Sequence, residues 1–164
     1  MANTNVFTGA DGSLTLAPVP SLEGERAGAV LNEYALLTAG RVQNVRVEVQ
    51  SEIRAFHEIG QRYATELRPG NVTIRGAIGR AYLNGALLKL LLGEAAESRP
   101  GSNWAQPSFN ITLLLENSST NGARNTLTLH DVKLTTWSYT IPEDDFVLES
   151  VAFQALYLSV QDEI

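Results

Sequence analysis

The chain has no cysteine, which excludes disulfides, thiolate catalysis and cysteine-ligated metals. Histidine is scarce too. His57 and His130 lie far apart, and neither belongs to a cluster with metal-ligand spacing. His57-Glu58 and His130-Asp131 are single neighbour pairs that read as solvated or hydrogen-bonded histidines. There is no Gly-x-Ser-x-Gly elbow, dinucleotide-binding glycine motif or Walker loop. Glu143-Asp144-Asp145 lacks the spaced oxygen ligands of a calcium loop. The expectation is no enzyme, no metal and no cofactor. Long hydrophobic runs are also missing. Ala86 to Leu92 is interrupted by Lys89 and far too short to span a bilayer, so no membrane insertion is expected. Met1-Ala2-Asn3-Thr4-Asn5 has neither the basic nor the apolar region of a signal peptide, which leads us to expect a chain made and kept in a cytoplasm.

Charge is sparse: 18% of 164 residues are charged, with a net charge of −6. No concentrated basic face of the kind nucleic-acid binding requires is present. The distribution matters more than the sum. Residues 1–40 carry −3, residues 41–100 carry +3 and residues 101–164 carry −6. A basic middle beside an acidic end lets one copy meet the next head to tail, or the two neutralise each other within one fold.

What is present is mainly strand periodicity. Ser13 to Ala17 alternates after the Gly-rich turn Thr8–Gly12. Ala17 to Ala29, with Pro18, Pro20, Gly24 and Gly28, reads as a loop or arm, and Leu31 to Gly40 as either a strand or a short helix. Val42 to Gln50 alternates cleanly, with Val45, Val47 and Val49 on one face and Asn44, Arg46, Glu48 and Gln50 on the other. Ser51 to Pro69 reads as a long polar connection, either a loop or an extended hairpin, of a length usually functional or docked on a partner. Asn71 to Leu83 resumes strand character, and Gly76 and Gly79 indicate a bend or a close backbone approach. Asn84 caps a leucine-coated helix that Gly93 stops, expected to be buried against the sheet. Phe109 to Leu115 is a strand, followed by a polar tip around Asn121-Gly122.

The last third, Asn125 to Gln161, reads as two long amphipathic arms joined at Pro142-Glu143-Asp144-Asp145. Ordinary strands run about 5–6 residues, and each arm here runs roughly twice that. Val132 and Leu134 have one parity, whereas Trp137, Tyr139 and Ile141 have the other. A β-bulge near Thr135-Thr136 puts both sets on one side. The predicted fold is mainly β: a barrel or sandwich of about seven strands with one short flanking helix and a long extended loop. Strands this long suit a chain that lines up with copies of itself.

Several stretches resemble the tail tube proteins of long-tailed bacteriophages and the related injection-system tubes. They are Phe7-Thr8-Gly9-Ala10-Asp11-Gly12-Ser13-Leu14, the strand–loop–strand from Asn44 to Gly76 with Arg68-Pro69-Gly70, the helix after Tyr82-Leu83-Asn84-Gly85, and Leu127 to Val132 through Asp145 to Glu149. The resemblance implies one domain over residues 1–164, with an N-terminal arm at about 1–40 and a stacking loop at about 51–70. It further implies a structural subunit whose hexameric rings stack into a hollow conduit for genome delivery. Asn44, Arg46, Glu48, Gln50, Asn71, Thr73 and Arg75 would then face the lumen. Arg54, Phe56, His57, Glu58 and Tyr63 would make inter-ring contacts, and Glu143, Asp144 and Asp145 would form the hairpin turn. The implied partners are further copies of the chain, a tape-measure protein, a tail terminator and baseplate or tail-tip proteins, with a sheath left open. DNA would pass without specific binding, and the subunit would reside in a virion tail assembled in the host cytoplasm. The alternatives are the tube of a contractile injection system passing protein effectors, and a monomeric β-sandwich binding module.

Overall fold

The computed structural model describes residues 6–36, 38–117 and 122–163. Met1–Asn5 and the polar tip expected at Asn121 lie outside the described residues. A 3₁₀ turn at Gly9–Asp11 leads into β1 (Gly12–Pro18), α1 (Leu22–Glu33), β2 (Val42–Phe56), β3 (Glu66–Ala81) and α2 (Ala86–Leu92). β4 (Phe109–Glu116), β5 (Arg124–Thr140), β6 (Leu148–Ala155) and β7 (Tyr157–Glu163) follow. All pairings are antiparallel. The sheet runs β1-β4-β5-β6-β3-β2, with β7 added to β5, and curls into a half-barrel.

β5 builds that curl. Its first half lies between β4 and β7, and its second half pairs β6. At the junction Asp131 takes φ 52°, and its N–H donates to Asn110 Oδ1 at 3.1 Å. The register slips between Leu134 and Thr136, which is the bulge the parity change required. As a result Leu134 stands opposite Phe153 and Trp137 opposite Val151, all on the core face. The second long arm breaks at Leu156 into β6 and β7, where Leu156 donates to the His130 carbonyl at 3.0 Å.

The core lies on one face of the sheet, under the two helices. Leu14, Leu16, Ile78, Phe109, Ile111, Leu129, Val132 and Phe153 meet Ala27 and Leu31 of α1 and Leu87 and Leu90 of α2. α2 runs where the leucine pattern placed it. The N-cap is Gly85 and not the expected Asn84, which lies one residue further out, where its Oδ1 accepts from Ala86 N at 3.1 Å; Gly93, at φ 58°, ends the helix.

α1 corrects the sequence reading. Residues 17–29 were expected as a loop or arm, but β1 ends at Pro18 and α1 begins at Leu22, both packed into the core, so the described residues hold two α-helices and not one. Pro18 and Pro20 precede the cap and interrupt nothing. Ser21 Oγ accepts from Gly24 N at 3.1 Å, and Glu23 and Glu25 occupy the positive first turn. Gly24 sits in the helix because of close approach: a Cβ there would collide with the Val19 carbonyl and lie 2.8 Å from Val19 Cγ2. Within residues 31–40, Leu31 to Glu33 closes α1, and Thr38 bridges Thr15.

Gly76 is the close approach anticipated in the second strand of the hairpin. A Cβ there would collide with the Arg46 carbonyl oxygen and stand 2.6 Å from Phe153 Cζ. Gly76→Ala is therefore expected to destabilise the fold by about 1–3 kcal/mol, the usual cost of overpacking. A urea-unfolding midpoint matching that of the unaltered chain would contradict this close packing.

Candidate functional site

The residues singled out for the polar face lie together. In β2 and β3, Asn44 stands opposite Gly79, Arg46 opposite Ala77, Glu48 opposite Arg75 and Gln50 opposite Thr73, all on one side of the ribbon. Asn71 follows Thr73 on that side, at the register irregularity between Ser51 and Ile53. The charges form a ladder. Arg75 Nη2 donates to Glu48 Oε1 at 3.3 Å and to Gln50 Oε1 at 3.2 Å, and Arg46 Nη2 donates to Glu48 Oε2 at 3.1 Å. These groups are exposed, so the ladder contributes little stability and mainly balances charge locally.

The same face continues across two further strands that sequence reasoning missed. Ser150 pairs with Gly79 and Ser138, and Ala152 pairs with Ala77 and Thr136. Gln154 pairs with Arg75. β2, β3, β6 and β5 thus present a four-strand surface of small and polar side chains. β2 has no strand partner beyond β3, and residues 136–140 of β5 have none opposite β6 among the described residues.

β2 and β3 also overshoot the sheet. β3 pairs β6 only from Ile74 onward, so residues 66–73 are held by β2 alone. These eight residues project about 25 Å. Arg54 and Phe56 lie at the end of β2, while His57, Glu58 and Tyr63 form the tip, all exposed. The other face of this overhang is apolar. Ile53, Leu67 and Val72 are each more than half exposed, as is Val49 just inside the paired sheet, a surface that in one copy meets only water.

Glu143, Asp144 and Asp145 lie in the connection from β5 to β6, at the opposite end of the sheet from the hairpin tip. A cleft of about 390 Å³ opens there. Beneath it is a buried polar network. Arg80 Nε donates to Glu149 Oε1 at 2.5 Å, Trp137 Nε1 donates to Glu149 Oε2 at 2.8 Å, and both ionic side chains are almost fully enclosed. A second cleft, of about 620 Å³, lies between β2 and the β1–β4 edge and is lined mainly by Val42, Val45, Leu113, Leu115 and Leu127.

Two clamps sit elsewhere on the surface. Lys89 is pushed above its ordinary pKa by Tyr34 first, then by Glu97 and Glu33. Arg124 is likewise raised by its hydrogen bond to Glu116. The described residues contain no group of three or more His, Cys, Asp or Glu able to hold a metal.

No protein-family model matches the chain, and no curated protein matches it. Solved structures do. A chain of the sheath–tube complex of the extracellular contractile injection system PVC, in its extended state, superposes with a TM-score of 0.66 at 9% identity, covering 98% of this chain and 94% of that one. A chain of the six-fold symmetrised baseplate of the anti-feeding prophage gives 0.63 at 11% identity, covering 98% and 97%. The SPP1 tail tube gives 0.59 at 11% identity, covering 97% and 81%. The chain has the fold of these tube and tail assemblies across nearly its full described length.

Proposed function

We propose that this chain is the structural subunit of a hollow tube, built from rings that stack into a conduit. The observation that carries the reading is the four-strand surface β2-β3-β6-β5, polar and small on one face, apolar on the other, and open at both edges. Open strand edges are liabilities unless they are covered. Edge-to-edge pairing of copies covers both at once.

Six-fold symmetry, as named for the anti-feeding prophage baseplate, makes six times four, or 24 strands around a closed wall. With strands about 4.8 Å apart and tilted about 40°, such a wall has a backbone diameter of about 50 Å, which leaves an open channel. The face carrying Asn44, Arg46, Glu48, Gln50, Asn71, Thr73 and Arg75, with Ser138, Ser150 and Gln154, lines the lumen in this reading. Arg46 and Arg75 share Glu48, so the carboxylate offsets part of their positive charge and lowers the pull of the wall on a passing polyanion. The work is structural and calls for no catalytic group. Its partners are other copies, a tape-measure protein, a terminator and baseplate or tip components, in a virion tail assembled in the host cytoplasm. DNA is the cargo; protein effectors are the cargo if the tube belongs to an injection system.

Negative-stain electron microscopy of the concentrated chain, alone or with a co-expressed baseplate component, tests the reading. Rings or hollow tubes are expected. A species that stays monomeric under every nucleating condition overturns it in favour of a binding module.

A further inference from the structure

We infer that the tip of the β2–β3 hairpin of one copy docks against the acidic, aromatic end of the sheet of the next copy. The inference rests on the stacking reading above and assigns its acceptor surface. The two ends lie at opposite extremes of one strand. β3 has 16 residues and separates them by about 50 Å. A contact between such ends is heterologous and repeats without closing, as growth along an axis requires.

Both ends are unfinished in the single copy. At the tip, Phe56, Ile59 and Tyr63 are exposed, and Ile59 is entirely so. At the other end Tyr139, Ile141, Phe146 and Leu148 are exposed. They stand beside the cleft of about 390 Å³, which Asn44, Gly79, Pro142 and Asp145 help to line. Tyr82 joins this end, its ring 5.3 Å from that of Tyr139, and its N–H is held by the Val147 carbonyl at 2.9 Å. The aromatic end is thus anchored to the sheet.

The charges are complementary. From Arg54 to Arg68 the hairpin carries three arginines against two glutamates. Arg54 and Arg68 have their own partners in Glu52 and Glu66. Arg62, at the tip, has no ion pair within the chain among the described residues. At the receiving end Glu143, Asp144 and Asp145 stand together, with no cation anywhere between Tyr139 and Leu148. Asp145 only accepts the N–H of its neighbour Phe146. Unpaired cation and unpaired carboxylates flanked by apolar side chains suit one another. The hairpin from Arg54 to Arg68 is net +1 and the stretch from Tyr139 to Leu148 net −3, so the two ends attract.

Charge reversal and cross-linking test this contact. Arg62→Glu and the pair Glu143→Arg/Asp144→Arg should each yield rings but no stacked tubes, and combining them in one chain should restore tubes. The absence of native cysteine allows a second readout. Tyr63→Cys and Phe146→Cys together should form intermolecular disulfides along assembled tubes, and neither variant alone should give a ladder. Reversal variants that stack like the unaltered chain, or tubes in which the cysteine pair never cross-links, overturn the assigned contact while leaving the tube reading intact. If the unaltered chain forms no rings, it is the tube reading itself that fails.

Discussion

Replacing residues 52–71 by a two-residue Asn-Gly turn is expected to abolish tubes while leaving a folded subunit that still forms rings. Ser51 and Val72 stand directly opposite one another, so a two-residue primed turn joins them in the existing register. Every side chain from Glu52 to Pro69 is exposed, and none belongs to the core. The removed segment therefore contributes little to folding, and shortening the loop reduces its closure entropy. The melting midpoint should move by no more than about 4 °C, which corresponds to roughly 1 kcal/mol for a chain of this size. Assembly should change completely, because the overhang is the only part of β2 and β3 that projects beyond the paired sheet among the described residues. Sedimentation would show rings in place of long polymers. Tubes of unaltered length from the shortened chain would remove the hairpin from stacking altogether.

The second large effect lies at Glu149. Its carboxylate holds the guanidinium of Arg80 on one oxygen and the Trp137 indole on the other, and Asn84 Oδ1 also accepts from Arg80 at 3.5 Å. Arg80 is 1% exposed, so Glu149→Ala strands a cation and an indole N–H away from water. Breaking a buried pair from one side costs about 3–5 kcal/mol. The double change Arg80→Met/Glu149→Leu removes both charges and should recover most of that loss, because the intact pair itself is offset by desolvation. Urea unfolding followed by tryptophan fluorescence, from Trp104 and Trp137 together, at low protein concentration measures both variants. A Glu149→Ala chain as stable as the original would mean that the pair is not enclosed as described. The network also joins β3, β5 and β6 at the end that receives the neighbouring hairpin, so the loss should weaken assembly before it unfolds the subunit.

Local features of the strands are legible in the sequence. The alternation around Val45, Val47 and Val49 gave the polar and apolar faces of β2 directly, because strand period is a local property. The parity change between Leu134 and Trp137 called for a bulge, and the register slips there. α1 was hidden by its own packing. Gly24 and Gly28 look like helix breakers, and only the nearness of the Val19 carbonyl explains why glycine occupies position 24. The other half of the polar surface was hidden for a different reason. Ser138, Ser150 and Ala152 are unremarkable residues whose meaning depends on which strands become neighbours, and β6 joins β3 across more than 60 residues of chain. Arg80 and Glu149, 69 positions apart, are a pair for the same non-local reason.

The central claim is that copies close edge to edge, with the polar face of β2-β3-β6-β5 turned inward. An end-on cryo-electron microscopy reconstruction of the assembled chain tests it most directly. The expected result is a six-fold ring whose inner wall is one continuous 24-strand barrel, six times the four strands of each copy, with Arg46, Glu48 and Arg75 pointing into the channel. A ring with these side chains on its outer surface, or no closed ring at all, would contradict it.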